Sequence, residues 1–142
     1  MTVAAILERK GHEVASIPAD APVRDAVALL SEKRIGAVPV LEGGQVAGVM
    51  SERDVIYCLH RDGAAVLDWP VSKVMTAPAI TIEPHVGVLT ALSQMTQRRI
   101  RHLPVVEGGR MIGIVSIGDL VAFRMARIEQ EAEEMRTYIQ TA

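Results

Sequence analysis

The chain contains the same segment twice. Residues 14–55 align without a gap with residues 79–120, at a constant offset of 65 positions. The matched pairs include Ile35/Ile100, Pro39/Pro104, Gly48/Gly113, Ser51/Ser116 and Asp54/Asp119. Two copies are too few for an extended solenoid, so we predict that the copies pack against each other. Two similar units in contact create two similar clefts between them.

Each copy predicts the element order β-α-β-β-α. A short β-like segment covers residues 13–17 in the first copy and 79–82 in the second. A helix with apolar residues at helical spacing follows. Two β-rich runs around a Glu-Gly-Gly turn then predict a hairpin, and a second helix begins near Ser51 and near Ser116. The predicted fold class is therefore α+β.

The segments outside the copies set the predicted boundaries. The lead-ins Val3–Leu7 and Val71–Met75 also match, but at an offset of 68 positions. We interpret the three-residue length difference between lead-in and first strand as a loop insertion, which costs little. The chain then divides into a first repeat over 1–59, a linker over 60–70, a second repeat over 71–123 and a C-terminal helix over 124–142.

Apolar residues in the C-terminal segment follow the 4-3-4-3-4 spacing of a coiled-coil seam. They are Val121, Met125, Ile128, Ala132, Met135 and Ile139. The seam is shorter than three heptads. Two interpretations stay open: an amphipathic helix that closes the fold, or a contact with a second copy of the chain.

Composition excludes several classes of protein. Apolar residues make up 49% of the 142 residues but aromatic residues only 3%, so the core must consist of aliphatic side chains and Met. A net charge of −2 provides no general attraction to nucleic acid or to an anionic membrane. The single cysteine, Cys58, excludes an internal disulfide. No apolar run approaches the roughly 18 residues of a membrane helix, and we expect a soluble cytoplasmic protein.

The repeated Ser-x-x-Asp is the sharpest polar signal. It occurs as Ser51 to Asp54 and as Ser116 to Asp119. The structural interpretation is a capping box at a helix N-terminus, and the motif alone favours it. The functional interpretation uses the same geometry, because a helix N-terminus accepts phosphate and an adjacent carboxylate can accept two hydrogen bonds from a ribose diol.

The densest basic cluster is Arg98–His102. Its first two residues match Lys33 and Arg34 of the first copy, and both pairs end the first helix of their copy, where cations suit the helix dipole. Arg101 and His102 replace Gly36 and Ala37, so they break the repeat at the edge of the inferred cleft. We prefer anion binding as their role, with solvated surface as the alternative.

Nothing in the sequence resembles catalytic machinery. No nucleophile with its base, no paired catalytic carboxylates and no metal framework can be named. The Gly-Gly pairs lie in hairpin turns and do not open helices, so they do not form a phosphate-binding loop. We therefore expect that the protein is not an enzyme.

The pattern resembles the cystathionine β-synthase (CBS) domain. The segments that carry the resemblance are 71–76, 99–106 and 113–120, with 34–41 and 48–55 in the first copy. The chain looks like a stand-alone CBS pair, or Bateman module. The resemblance implies sheets packed around a pseudo-twofold axis, with two clefts that bind adenine nucleotides, and assembly of two modules into a disc-shaped dimer.

The resemblance also implies residue roles. The Asp of Ser-x-x-Asp holds the ribose, residues before the Pro-Val strand of the other repeat reach the phosphates, and adenine lies in an apolar slot beside that repeat's first strand. The first cleft would contain Ser51, Arg53, Asp54, Thr76, Ile80, Arg101, His102 and Pro104. The second would contain Ser116, Asp119, Ala15, Gly36, Ala37 and Pro39, with no cation at the matching positions.

We thus expect a regulatory, energy-sensing module that signals to an unidentified partner protein. Its ligand would be AMP, ADP, ATP or NAD(H), with S-adenosylmethionine as a further candidate, and it requires no cofactor. We expect a homodimer, and neither nucleic acid nor a membrane as partner. The alternative is a dimeric interaction scaffold that acts without a ligand.

Overall fold

The computed structural model describes residues 1–141 and confirms the α+β fold with two related halves. The helices are α1 Val3–Lys10, α2 Val23–Lys33, α3 Glu52–Asp62, α4 Val88–Arg98 and α5 Ile117–Thr141. The strands are β1 Ile17–Pro18, β2 Ala37–Glu42, β3 Gln45–Ser51, β4 His102–Glu107 and β5 Arg110–Ser116. Short 3-10 helices cover Ala64–Asp68 and Val71–Lys73.

Both predicted hairpins are present. β2 pairs with β3 and β4 pairs with β5, in each case antiparallel. The turn between β2 and β3 places Gly43 and Gly44 at φ 59° and 78°, and the second turn repeats these values. Two consecutive positive φ angles are the signature of the two-residue turns that match strand twist, and glycine adopts them without a steric penalty.

The first strand of each half is shorter than the sequence predicts. β1 contains only Ile17 and Pro18, which run parallel to β2. In the second half the segment 79–82 makes a single bridge, in which Ile82 N–H donates to the Pro104 carbonyl. The prediction of strands over 13–17 and 79–82 was therefore wrong in extent, because only the end of each segment reaches the neighbouring strand.

The lead-in segments are exchanged between the halves. Val3, Ile6 and Leu7 of α1 are buried in the core of the second half, together with residues of α4, β4 and β5. Val71 of the second lead-in is buried in the core of the first half. Each core is thus completed by residues from the lead-in of the other half, and the two halves are tied together through their interiors.

The exchange explains why one glycine recurs in both copies. A Cβ atom at Gly48 would lie 2.7 Å from the carbonyl oxygen of Thr76, and one at Gly113 would lie 2.6 Å from a Leu7 methyl carbon. Both distances are far below van der Waals contact. A Cβ at either position would force its neighbour to shift, and at Gly48 that neighbour includes backbone, so glycine fits there best.

Two segments differ from the sequence-based division of the chain. α5 is continuous over 25 residues, so the last helix of the second repeat and the C-terminal helix are one element. The segment 60–70 contains the last turn of α3 and a 3-10 helix whose Val66 is fully buried. Within residues 1–141, no helix combines the length and the apolar character needed to cross a bilayer.

Candidate functional site

A cleft lies where the N-terminus of α3 faces the second half, and we call it the first cleft. Seven of the residues that the sequence assigned to it line its wall: Ser51, Arg53, Asp54, Thr76, Ile80, Arg101 and His102. Pro104, also assigned to it, is buried within β4 and does not line the cleft. The family resemblance therefore predicted seven of the fifteen lining residues, which come from segments far apart in the chain.

The Asp54 carboxylate is held in place by three hydrogen bonds. Oδ2 accepts from the backbone N–H of Ser51 at 2.9 Å and from the Ser51 hydroxyl at 3.0 Å. Oδ1 accepts from the Thr76 hydroxyl at 3.0 Å. The Ser51 hydroxyl in turn accepts from Asp54 N–H, which completes a capping box at the start of α3.

The capping interpretation of Ser-x-x-Asp is thus confirmed, and it leaves acceptor capacity. A carboxylate has about four lone-pair sites, of which the cap uses those on Oδ2. Oδ1 faces Thr76 and the cleft, and within residues 1–141 Asp54 forms no ion pair. An ionised carboxylate with an accessible oxygen can accept from a diol.

Part of the lining of the first cleft is apolar, and we call this part the apolar slot. Its residues are Val49 of β3, Pro78, Ala79 and Ile80 of the segment before Ile82, and Ile100. An apolar lining suits a flat ring system, because it removes the ring from water.

The cleft carries three arginines. Arg53 and Arg101 were expected there, but Arg99 was assigned only to the end of its helix. Arg99 does end α4, in the left-handed conformation with φ 55°, as Arg34 ends α2 with φ 53°. Because Arg34 and Arg99 both end a helix, the repeat indicated only this structural role. It gave no sign that Arg99 also lines the first cleft.

The His102 ring explains one break in the repeat. A Cβ atom at Gly36 would lie 3.1 Å from Cε1 of His102, so glycine makes room for the ring. Gly36 and Ala37, which the sequence assigned to the second cleft, line the first one. Burial, and then the charges of Lys10 and Arg101, lower the pKa of His102, so its ring is mainly neutral at pH 7 and offers an N–H donor.

The second Ser-x-x-Asp has a different environment. Asp119 Oδ2 accepts from Ser116 N–H at 2.9 Å, and the Ser116 hydroxyl accepts from Asp119 N–H at 3.1 Å, so the cap is repeated. Unlike Asp54, Asp119 forms an ion pair, with Lys10 Nζ at 2.6 Å from Oδ2. The two side chains are 34% and 27% exposed.

Lys10 replaces Thr76 in the second half. Thr76 donates its backbone N–H to the Val49 carbonyl and its hydroxyl to Asp54. Lys10 Nζ donates to the Ile114 carbonyl at 2.8 Å and to Asp119, and Ile114 and Asp119 match Val49 and Asp54 at the 65-residue offset. One ammonium group thus makes both contacts.

The three-residue length difference between lead-in and first strand lies next to this replacement. The sequence predicts a loop insertion there, but the extra residues continue the helix, so the predicted location in a loop was wrong. The first lead-in forms an eight-residue α-helix that ends at Lys10, whereas the second forms a three-residue 3-10 helix, Val71–Lys73. The longer helix carries Lys10 to Asp119.

The ion pair changes the chemistry of Asp119. Burial by itself raises the pKa of this carboxyl, but the hydrogen bonds from Lys10 and Ser116 outweigh burial and hold the pKa below its ordinary value. The charge is stabilised and at the same time neutralised by its partner. The two Ser-x-x-Asp caps are therefore alike in backbone and unlike in electrostatics.

Comparison with known proteins agrees with this architecture. The CBS domain family model matches residues 4–61 and 71–126, and the chain belongs to this family. The CBS domain-containing protein CBSX3, mitochondrial, of Arabidopsis thaliana is 36% identical over 126 residues, which are 85% of this chain and 61% of CBSX3. The chain thus spans about three fifths of that relative.

Two further relatives match most of both chains. The CBS domain-containing protein YhcV of Bacillus subtilis is 32% identical over 117 residues, covering 80% of this chain and 81% of YhcV. The crystal structure of the CBS-domain containing protein ATU1752 from Agrobacterium tumefaciens superimposes with a TM-score of 0.83 at 37% identity, over 87% of this chain and 92% of that one. The family and the pairing of two CBS repeats, inferred from the sequence, are confirmed.

Proposed function

We propose that this chain is a non-enzymatic regulatory module that binds an adenosine-containing ligand in the first cleft. The observation that carries the proposal is the convergence of three features there: the Asp54 carboxylate, the apolar slot and the arginines. The carboxylate would accept the ribose hydroxyls, the slot would hold the adenine ring, and Arg53 and Arg101 would meet the phosphate.

Ligands bound to structures of the same fold agree with this class. CBSX2 has been solved in complex with AMP, with a TM-score of 0.71 to this chain at 24% identity. The CBS domain pair of MJ0100 has been solved with 5-methylthioadenosine and S-adenosyl-L-methionine, with a TM-score of 0.78 at 20% identity. At these identities the likeness supports the fold, and the residues of this cleft support the ligand.

The charged side chains of the first cleft favour a phosphorylated ligand. Arg53, Arg99 and Arg101 line one cleft, while Glu52 and Asp54 are its acidic groups. With Asp54 engaged by the ribose, the remaining balance favours an anion such as the phosphate of AMP, ADP, ATP or NAD(H) over the cationic sulfonium of S-adenosylmethionine. Ser116 and Asp119 would serve the second cleft only if Lys10 were displaced.

Regulation would follow from the exchanged lead-ins. Thr76 directly follows the lead-in that crosses into the first half, and it contacts Asp54. A ligand that engages Asp54 and Arg101 contacts both halves, so its affinity can differ between two packings of the halves. A ligand shifts such an equilibrium only by that difference in affinity. We propose that a partner protein and a second copy of the chain bind differently to the two packings, and that this takes place in the cytoplasm.

Isothermal titration of AMP, ADP, ATP, NADH and S-adenosylmethionine tests the site. Asp54→Ala should weaken binding by about 10- to 100-fold, because it removes hydrogen bonds to a charged group. Asp119→Ala is the matched control: it removes the same cap in the other half and should leave the affinity within about twofold.

The phosphate contact has its own control. Arg101→Ala should weaken AMP about tenfold and leave adenosine unchanged, since only AMP carries the anion. Arg110→Ala, on an exposed hairpin position, should change neither. Absence of binding by the wild-type chain would favour the alternative of a ligand-independent dimeric scaffold, for which the exposed apolar seam of α5 is the supporting observation. Equal losses in Asp54→Ala and Asp119→Ala would contradict the assignment of the ligand to the first cleft.

A further inference from the structure

The second half of α5 leaves the body of the protein. Leu120 is fully buried and Phe123 packs on the core of the second half. From Met125 to Thr141 every residue is exposed. Seventeen residues of helix extend about 25 Å at 1.5 Å per residue. An isolated helix of this length is marginal in water, so contacts must stabilise it.

The apolar seam lies on the exposed side of this helix. Its side chains are exposed to 41% at Val121, 56% at Met125, 49% at Ile128, 59% at Met135 and 66% at Ile139, and Ala132 is exposed as well. The direction of the seam differs from that of Leu120 and Phe123, so the body of the protein does not cover it. A seam with alternating steps of four and three residues fits another helix.

We propose that α5 pairs with α5 of a second copy of this chain as a parallel two-stranded coiled coil. In heptad terms Met125, Ala132 and Ile139 occupy position a, and Val121, Ile128 and Met135 occupy position d. The charges beside the seam select both the partner and its direction. They act through the g position of one helix and the e position five residues later in the other.

The flanking charges are complementary in the parallel arrangement. Arg124 at g meets the partner's Glu129 at e, and Glu131 at g meets the partner's Arg136 at e. By symmetry each pair occurs twice. Within the chain, Glu131 lies 3.5 Å from Arg127 and Arg136 lies 3.7 Å from Glu133. These intrachain pairs are exposed and weak, so they leave the side chains free to reach a partner.

The antiparallel arrangement is opposed by the same charges. With the seams fully overlapped it places Glu129 beside the partner's Glu129, and Glu131 beside the partner's Glu131. Removing this repulsion requires a shift by a whole heptad, which exposes part of the seam. The sequence of α5 thus carries a pattern that favours its own parallel copy, and this inference is independent of ligand binding in the first cleft.

Charge reversal tests the partner and the direction. Glu129→Arg places two arginines together in the parallel pair and should raise the dimer dissociation constant about tenfold in analytical ultracentrifugation. The double variant Arg124→Glu with Glu129→Arg should restore the wild-type value. Glu134→Arg makes the same change of charge at position c, away from the partner, and should have no effect. Circular dichroism verifies that each variant is folded.

Cysteine cross-linking tests the geometry. Met135→Cys alone should form an interchain disulfide under mild oxidation, since position d faces its own copy only in the parallel pair. In the antiparallel pair it would instead cross-link to Met125→Cys in a mixture of the two variants. The wild-type chain is the control, because its Cys58 is buried. A monomeric wild type, a dimer insensitive to Glu129→Arg, or cross-links only in the mixture would each overturn the proposal.

Discussion

The ion pair of Lys10 with Asp119 provides the sharpest test of how the two halves are joined. The substitution Lys10→Met retains the apolar stem and removes the ammonium group. It deletes one charge-assisted hydrogen bond to Asp119 at 2.6 Å and one to the Ile114 carbonyl at 2.8 Å. These contacts connect residues 109 and 104 positions apart, so the loss should appear in global unfolding.

The magnitude follows from the exposure of the pair. A hydrogen bond to a charged group contributes about 1.5–3 kcal/mol when buried, and an exposed ion pair about 0–1 kcal/mol. Lys10 and Asp119 are 34% and 27% exposed in their side chains, so water partly replaces the ammonium. We expect a loss of about 1–2 kcal/mol in the free energy of unfolding at pH 7, or on the order of 3–6 °C in Tm.

The pH dependence identifies the charge. The pKa of Asp119 is depressed in the folded state, so its stabilisation is complete above the unfolded pKa of about 4 and is lost as the pH falls through the folded pKa. Lys10→Met removes part of that depression. The difference between wild type and variant should therefore be full at pH 7 and shrink as the pH falls below about 4.

Urea unfolding at a series of pH values measures this difference. Lys33→Met is the control, because it removes a lysine that is exposed at the end of α2 and forms no ion pair within residues 1–141. It should change stability by about 0.5 kcal/mol or less at every pH. The reasoning is refuted if Lys10→Met behaves like Lys33→Met at pH 7, or if its deficit stays constant down to about pH 3.

Three substitutions that remove or introduce glycine test the backbone conformation and the close contacts of the backbone. Gly48→Ala should lower the free energy of unfolding in urea by about 1–3 kcal/mol and weaken nucleotide binding, because its Cβ would lie 2.7 Å from the Thr76 carbonyl oxygen. An unchanged unfolding midpoint would contradict this close approach. Gly118→Ala changes the second residue of α5, where the nearest atom is 3.6 Å from the added Cβ. It should raise the free energy of unfolding by about 0.5 kcal/mol. Arg34→Gly should raise the free energy of unfolding by up to about 1 kcal/mol, because it relieves the left-handed φ of 53°. A lower free energy of unfolding would mean that the Arg34 side chain contributes to stability.

Local elements were readable from the sequence because their causes are local. The Gly43-Gly44 turn needs two positive φ angles that glycine alone adopts freely, and the antiparallel pairing of β2 with β3 follows from that turn. The Ser51 cap is formed with a residue three positions away. The duplication added the long-range part, because it showed that the two halves face each other and which residues break the symmetry.

The first cleft was predicted in part for the same reason. Seven of the fifteen residues that line it were assigned to it from the repeat and the family resemblance, whereas Pro104, also assigned, does not line it. Proline in a strand marks the strand but not which side of it faces the cleft. Arg99 was missed because its counterpart Arg34 repeats it, so the pattern indicated a helix end and concealed the location in the cleft.

The sequence by itself determined the two halves, their hairpins, the paired caps and the identity of the residues that differ between them. Only the tertiary structure decided which lead-in packs in which core, and therefore that Lys10 reaches Asp119 across 109 positions. The physical reason is that an amphipathic segment such as Val3–Leu7 fits either apolar core equally well by pattern. The choice depends on chain path and on the close fit at Gly48 and Gly113, and neither can be read from local spacing.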